Sequence, residues 1–358
     1  MIDDHAHPFP TAFAPLDLSR ISLGAAVGTS GDRRLWVELL TTRLASLLGV
    51  GADEALDARE EAARADWAGY VRTLLDDADV EGLVVDPGVS VAGGGSGAEL
   101  AALTGRPVWE LARVDPLVDD LIGKGATAGE VVDAVETFLT AAAAEVVGFK
   151  TILAYRTGLA VDPDADVRRA DASLGDGAGG PVRRRGKALR DLVMRVMLER
   201  AADHGLPVQV HTGFGDSDIR LGEANPLLLE DLLRSPAGRR ATVVLIHGAY
   251  PWHEELAYLA TVHPNVFAEV SLFNLFAPLR VADRLGRMLE LAPPDKLLAG
   301  SDGHLAPETH WFACRVLQEA LAAVGREVEA AGARPQWFTA ARRAVLADNA
   351  RRVYGLVP

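Results

Sequence analysis

The sequence predicts an α/β fold, a (β/α)8 barrel of TIM type with a helical insertion after the first strand and further helices at the C-terminal end. Two observations carry this. Eight short β-rich runs alternate with helical patterns, which is the signature of parallel strands joined by helical crossovers. The runs are also almost continuously apolar, as expected of strands covered on both faces. An open doubly wound sheet is the alternative topology.

The first strand is Ile2 to Asp4, which leads directly into "DDHAHP". In extended chain, residues i and i+2 share a face, so His5 and His7 aim at one point. The following runs are "EGLVVDPG" from Glu81, "VWELARVDP" from Val108, "VVGFKTIL" from Val146 and "LPVQVHTG" from Leu206. "ATVVLIHG" from Ala241, "NVFAEVSL" from Asn265 and "DKLLAGSDG" from Asp295 complete the set. Residues 33–79 are far longer than an ordinary connection and carry "RRLWVELLTTRLASLLGV" and "ADEALDAREEAARADWAGYVRTLLDDAD", a helical insertion. Within it Trp36, Leu39, Leu40 and Leu44 fall at helical spacing, an apolar stripe suited to a homodimer interface or to packing on the barrel. After the fourth strand, residues 173–186 hold a Gly-rich tract beside Arg183, Arg184 and Arg185, expected to be a flexible lid. Helical sequence from Pro307 to Leu356 closes the barrel, so residues 1–358 form a single domain.

Composition narrows the function classes. At 49% hydrophobic residues, the chain has ample material for a core. A formal net charge of −14 disfavours nucleic acid and anionic membranes as partners. No apolar run reaches membrane-spanning length and no secretory signal precedes the His pair, so a soluble cytoplasmic protein is expected. The only cysteine is Cys314, which leaves histidine and carboxylate as the ligands of any bound metal.

The polar residues that interrupt the apolar runs fall at strand ends, where barrel enzymes place their chemistry. His5 and His7 end the first strand, Lys150 the fourth, His211 the fifth, His247 the sixth and Asp302 the eighth. His204 and His263 read as structural, whereas His253, His304 and His310 lie just past strand ends within reach of a substrate. Arg156 suits a substrate carboxylate or a structural salt bridge. Asp216 and Asp218 in "GFGDSD" suit a substrate ammonium or the capping of a turn.

These segments resemble the amidohydrolase superfamily, in the branch called amidohydrolase family 2. The group most similar is related to the N-terminal half of glutamine-synthetase-like fusion proteins. The matching stretches are "DDHAHP", "GFKTILAYRTGL", "VQVHTGFGDSD", "NPLLLEDLL", "VVLIHGAYPW", "YLATVHPNVFAEVSL", "LLAGSDG" and "DNARRVYGL", in order along the chain. The resemblance implies that His5, His7, His211 and Asp302 bind one divalent metal, zinc first and manganese second. His247 takes the position that holds a second metal in binuclear members and touches substrate in mononuclear ones. Lys150 takes that of a carbamylated bridging lysine, although "GFKT" also occurs where the lysine is no ligand; one ion is favoured over two.

The expected chemistry is hydrolysis of an amide or related C–N bond by a metal-activated water, with Asp302, His247 and Lys150 catalytic and Arg156, Asp216 and His253 binding a small carboxylate-bearing substrate. A γ-glutamyl amide is the member suggested by the glutamine-synthetase-like relatives. Metal-dependent non-oxidative decarboxylation is the alternative, and a barrel kept only as a scaffold is a third reading that the metal-ligand pattern opposes.

Overall fold

Eight apolar runs become eight parallel strands: β1 (Ile2–Ala6), β2 (Gly82–Val85), β3 (Val108–Arg113), β4 (Gly148–Thr151), β5 (Pro207–His211), β6 (Thr242–Ile246), β7 (Val266–Val270) and β8 (Leu297–Ala299). In this computed structural model, which describes residues 1–21, 23, 34–88, 92–175 and 180–356, they pair in sequential order. Beyond β8 the chain returns to β1: the Asp302 amide donates to the His5 carbonyl at 2.8 Å and the His7 amide to the Gly303 carbonyl at 2.9 Å. The barrel is thereby closed where the metal-ligand candidates lie. The open sheet is not formed.

Side-chain alternation sorts each strand into two environments. On β5, Val208 and Val210 join the core beneath the helices, while Gln209 points inward, donating to the Asp4 carbonyl at 2.9 Å and the Tyr354 hydroxyl at 2.7 Å. The barrel floor is a second apolar cluster of Ile2, Val84, Leu111, Val244, Phe267 and Leu298, closed by Tyr354 and Leu356. Full burial of each such aliphatic side chain is worth about 1.5–3 kcal/mol. Polar groups therefore sit above an apolar plug.

The insertion folds as α1 (Leu35–Leu48), α2 (Ala55–Ala65) and α3 (Trp67–Asp77). The second helical stretch is thus two helices. Asp66 breaks it with an extended backbone, and its carboxylate accepts the Gly69 amide at 2.9 Å as an N-cap. Trp36, Leu40 and Leu44 are buried within the chain, Trp36 edge-on to Phe276 at 5.5 Å. Leu39, the fourth residue of the stripe, is half-buried and packs against the same core. Arg59 of α2 is clamped by Glu308 at the start of the helix Pro307–Ala330, so the insertion is fixed to the barrel by a buried ion pair.

The expected flexible tract 173–186 is ordered at both ends. Ser173 to Gly175 finish the helix Val167–Gly175, and Val182–Arg184 form a helical turn; residues 176–179 lie outside the described residues. Arg183 pairs with Asp218 at 2.5 Å, and Arg184 donates to the Arg156 carbonyl at 2.8 Å and the Asp218 carbonyl at 2.6 Å. No single helix of the described residues is long and apolar enough to cross a membrane.

Candidate metal centre and active site

The C-terminal ends of the strands open into a cleft of about 520 Å³. His5, His7, Lys150, His211, His247 and Asp302 all line it, as do Arg156 and Asp216. His253 does not: it starts the helix His253–Val262, half-buried, with Nδ1 donating to the Pro251 carbonyl at 3.0 Å. His304 lines the cleft, while His310 is wholly buried behind it.

Asp302 Oδ1 lies 3.2 Å from both His5 Nε2 and His7 Nε2. Although buried, this oxygen accepts no hydrogen bond among the described residues. Ligand atoms around one tetrahedral ion with bonds of 2.0–2.1 Å stand about 3.4 Å apart. The three atoms therefore fit a shared divalent ion. Two sets of donor atoms within 4.8 Å of one another are present among the described residues: His5, His7 and Asp86, and His5, His247 and Asp302. His211 belongs to neither set, but its ring lies 4.4 Å from that of His247.

Hydrogen bonds set the imidazole tautomers. His7 Nδ1 donates to the Asp86 carbonyl at 2.8 Å, which leaves the Nε2 lone pair facing Asp302. His211 Nε2 donates to the Phe214 carbonyl at 3.1 Å, so its lone pair is on Nδ1. Glu269 accepts the His247 amide at 3.0 Å and the Ser271 hydroxyl at 2.8 Å; His247 Nδ1 in turn donates to Ser271 Oγ at 2.8 Å. His247 Nε2 is therefore an acceptor. Gly215 permits the close packing here, because a Cβ on it would lie 1.8 Å from the Tyr155 hydroxyl.

Backbone strain concentrates at the same strand ends. His247, Leu272 and Asp302 have φ of 70°, 60° and 53°, a region costly for residues other than glycine. Asp3 anchors the last of these: its carboxylate accepts the Ser301 amide at 2.7 Å and hydroxyl at 2.6 Å, and Ser301 Oγ accepts the Gly303 amide at 2.8 Å.

Burial, followed by the nearby Lys150, pushes the His5 imidazole down to about 4. Burial also holds His211 and His247 well below the usual histidine range. All three are neutral near pH 7, as metal ligation requires. Burial opposes ionisation of Asp302, but His247, His5 and His7 hold its carboxyl well below its usual range. Lys150, with Nζ 3.4 Å from His5 Nε2, is pushed by burial to about 8, with Asp86 resisting and Arg113 adding to the shift.

The His5 shift has a testable sign. The unfolded imidazole titrates near 6.5 and the folded one near 4, so stability is complete above 6.5 and is lost as pH falls through that window. For metal-free protein the His5 contribution to the loss between pH 7 and pH 5 is about 2 kcal/mol. Urea unfolding in chelator should show that His5→Gln loses less stability than wild type over this interval by about that amount. Equal losses would contradict the burial of a neutral His5.

Two charged residues beside the cleft are absent from the sequence-based site. Asp86 ends β2 and Arg113 ends β3, and they form a buried ion pair beside His7. Burial opposes ionisation of Asp86, yet Arg113, His7 and Lys150 together hold it far below the carboxylate range. The strand-end rule extended to "LVVDPG" and "LARVDP" would have found both. Arg156, in contrast, is engaged as a structural ion pair, with Nε 2.9 Å from Asp119 Oδ2. Among the described residues the Asp216 side chain caps nothing; its amide donates to the Tyr155 hydroxyl and its carbonyl accepts the Ile219 amide.

Fold and site together define a barrel enzyme of the metal-dependent hydrolase type. The chain belongs to the amidohydrolase family, whose Amidohydro_2 model matches residues 2–356. Over 188 residues it is 35% identical to Protein fluG of Emericella nidulans, a match covering 49% of this chain but only 22% of that protein. A solved structure from Lactobacillus casei, described as a metal-dependent hydrolase, superposes with a TM-score of 0.87 at 25% identity, covering 99% of this chain and 95% of the other. A uronate isomerase from Bacillus halodurans shares the fold, with a TM-score of 0.69 at 16% identity, covering 99% and 93% of the two chains.

Proposed function

We propose that the protein hydrolyses an amide or related C–N bond in a small carboxylate-bearing substrate, a γ-glutamyl amide being the leading candidate. The observation that carries this reading is the placement of Asp302 Oδ1 equidistant from the His5 and His7 imidazoles in the cleft. His5, His7 and Asp302 would hold the metal, with His211 completing the set; zinc is proposed first, manganese second, and one ion rather than two. When bound, such an ion supplies a Lewis acid and lowers the pKa of a water beside it. Asp302, ionised and ordered by Asp3 and Ser301, offers its second carboxylate oxygen to the proton of the attacking water and returns it to the leaving amine. His247 presents Nε2 as an acceptor, which suits metal ligation or proton acceptance and not donation to an oxyanion. The neighbouring Lys150 is left as the donor facing the cleft.

The test is product analysis with zinc- or manganese-loaded protein on a panel of γ-glutamyl amides and aromatic carboxylates. Amine release is expected. Carbon dioxide release without amine would replace this reading with decarboxylation.

Lys150→Ala separates one ion from two. If the site holds one ion, the variant keeps its metal and loses substrate affinity about tenfold. Loss of half the metal, with activity rescued by short-chain carboxylic acids, would instead establish a carbamylated bridge.

A further inference from the structure

Arg156, which along the chain suits a substrate carboxylate, is held by Asp119, and Arg183 is held by Asp218. Two other cations of the cleft stand side by side. Arg113 of β3 and Lys150 of β4 are register partners on neighbouring parallel strands, so their side chains leave the sheet on one face, and both line the cleft.

Arg113 is seated in a rigid cradle. Its Nε donates to Asp86 Oδ2 at 3.1 Å, Nη2 donates to the same oxygen, and Nη1 donates to the Gly88 carbonyl at 3.3 Å. Asp86 Oδ1 in turn accepts the Gly88 amide at 2.9 Å. A Cβ on Gly88 would lie 2.2 Å from Arg113 Nε, so only glycine leaves room for the guanidinium here. Among the described residues one N–H on each terminal nitrogen has no acceptor.

Lys150 is buried, and among the described residues its Nζ has a single partner, His5 Nε2 at 3.4 Å. That nitrogen also faces Asp302 Oδ1 at 3.2 Å and is a proposed metal ligand. Once its lone pair is given to an ion, Lys150 has no acceptor among these residues, and a buried N–H group without one is costly. The nearby carboxylates do not supply the missing partner. Asp86 balances Arg113, Asp302 faces His5 and His7, and burial pushes Glu269 well above the carboxylate range, favouring its neutral form. One positive charge on this wall is left for a ligand, which matches a carboxylate and not a phosphate dianion.

We infer that Arg113 and Lys150 form an anion subsite on the β3–β4 wall of the cleft, which takes the substrate carboxylate, with Asp86 and Gly88 holding Arg113 in place. Charge-assisted hydrogen bonds of this kind discriminate strongly against an analogue that lacks the charge. The inference rests on the proposed metal site and hydrolytic reading only for what binds beside the carboxylate.

The experiment is calorimetric titration of zinc-loaded protein with 2-oxopropanoate, 4-oxopentanoate and 5-oxohexanoate, each compared with its own amide. The ketones are not hydrolysed, and each pair differs only by carboxylate against carboxamide. Wild type should bind at least one acid about tenfold more tightly than its amide. Lys150→Met should remove most of that preference with zinc content and amide affinity unchanged. Arg113→Gln combined with Asp86→Asn, which leaves no buried charge unpaired, should do the same, and Arg113→Lys should keep only part of the preference. Circular dichroism confirms folding, and if the double variant does not fold, Arg113→Lys carries the test. Absence of any acid preference in wild type, or an unchanged preference in Lys150→Met or in the folded Arg113 variants, overturns the subsite. Loss of zinc from Lys150→Met also overturns it, by making Lys150 a metal ligand. If the preferences follow the subsite but no amide releases amine, the hydrolytic reading fails and the subsite stands.

Discussion

The double variant His5→Ala/His7→Ala is expected to retain less than about one-tenth of the wild-type metal after dialysis and to lose about a thousandfold or more in kcat/KM. Both imidazoles meet Asp302 Oδ1 at 3.2 Å. Removing them deletes two ligand nitrogens and also the groups that help keep the buried Asp302 ionised. The loss of an ion that supplies several kcal/mol of transition-state stabilisation corresponds to a thousandfold effect or more. Elemental analysis and circular dichroism on the purified variant check the result. A folded variant with full metal occupancy would remove His5 and His7 from the ligand set.

The largest stability effect is expected at Glu308, remote from the chemistry. Its Oε1 accepts Arg59 Nε at 2.5 Å and the Tyr70 hydroxyl at 2.8 Å, and both Arg59 and Glu308 are at most 1% exposed. Glu308→Ala removes the buried carboxylate partner of Arg59; breaking one side of a buried ion pair costs about 3–5 kcal/mol, and the remaining Glu60 sets the expectation at the lower end of that range. Arg59 keeps Glu60 Oε2 at 3.2 Å, the Ala14 carbonyl at 2.9 Å and the rings of Trp67 and Tyr70 at 5.5 Å, and the one-third-exposed Glu60 replaces the buried carboxylate only in part. Urea unfolding of metal-loaded protein measures the loss. A change below about 1 kcal/mol would show that Arg59 finds solvent or another partner on truncation.

Much of the site was legible because its signal is local. A polar residue that follows a run such as "VVLI" or "VQV" has few ways to be accommodated except at the open end of a barrel strand. That logic points to His211, His247 and Asp302, which line one cleft with Lys150. It stopped short at Asp86, because an aspartate before Pro-Gly also reads as a turn, and at Glu269, a charge in mid-strand whose use is visible only once Ser271 and His247 are its neighbours.

Periodicity and strand-end polarity, both properties of a few adjacent residues, were enough to determine a closed α/β barrel and a histidine-carboxylate centre. Which charges remain available was decided by tertiary structure alone. Arg156 suits a substrate carboxylate or a structural salt bridge along the chain, and Asp119, brought in by a separate helix, makes it the salt bridge. The stripe at Trp36, Leu39, Leu40 and Leu44 suits a second copy or the barrel along the chain; only the fold shows Trp36, Leu40 and Leu44 buried and Leu39 half-buried. Ion pairing and burial act over a few ångströms between residues far apart in the chain, so no local pattern encodes which partner arrives.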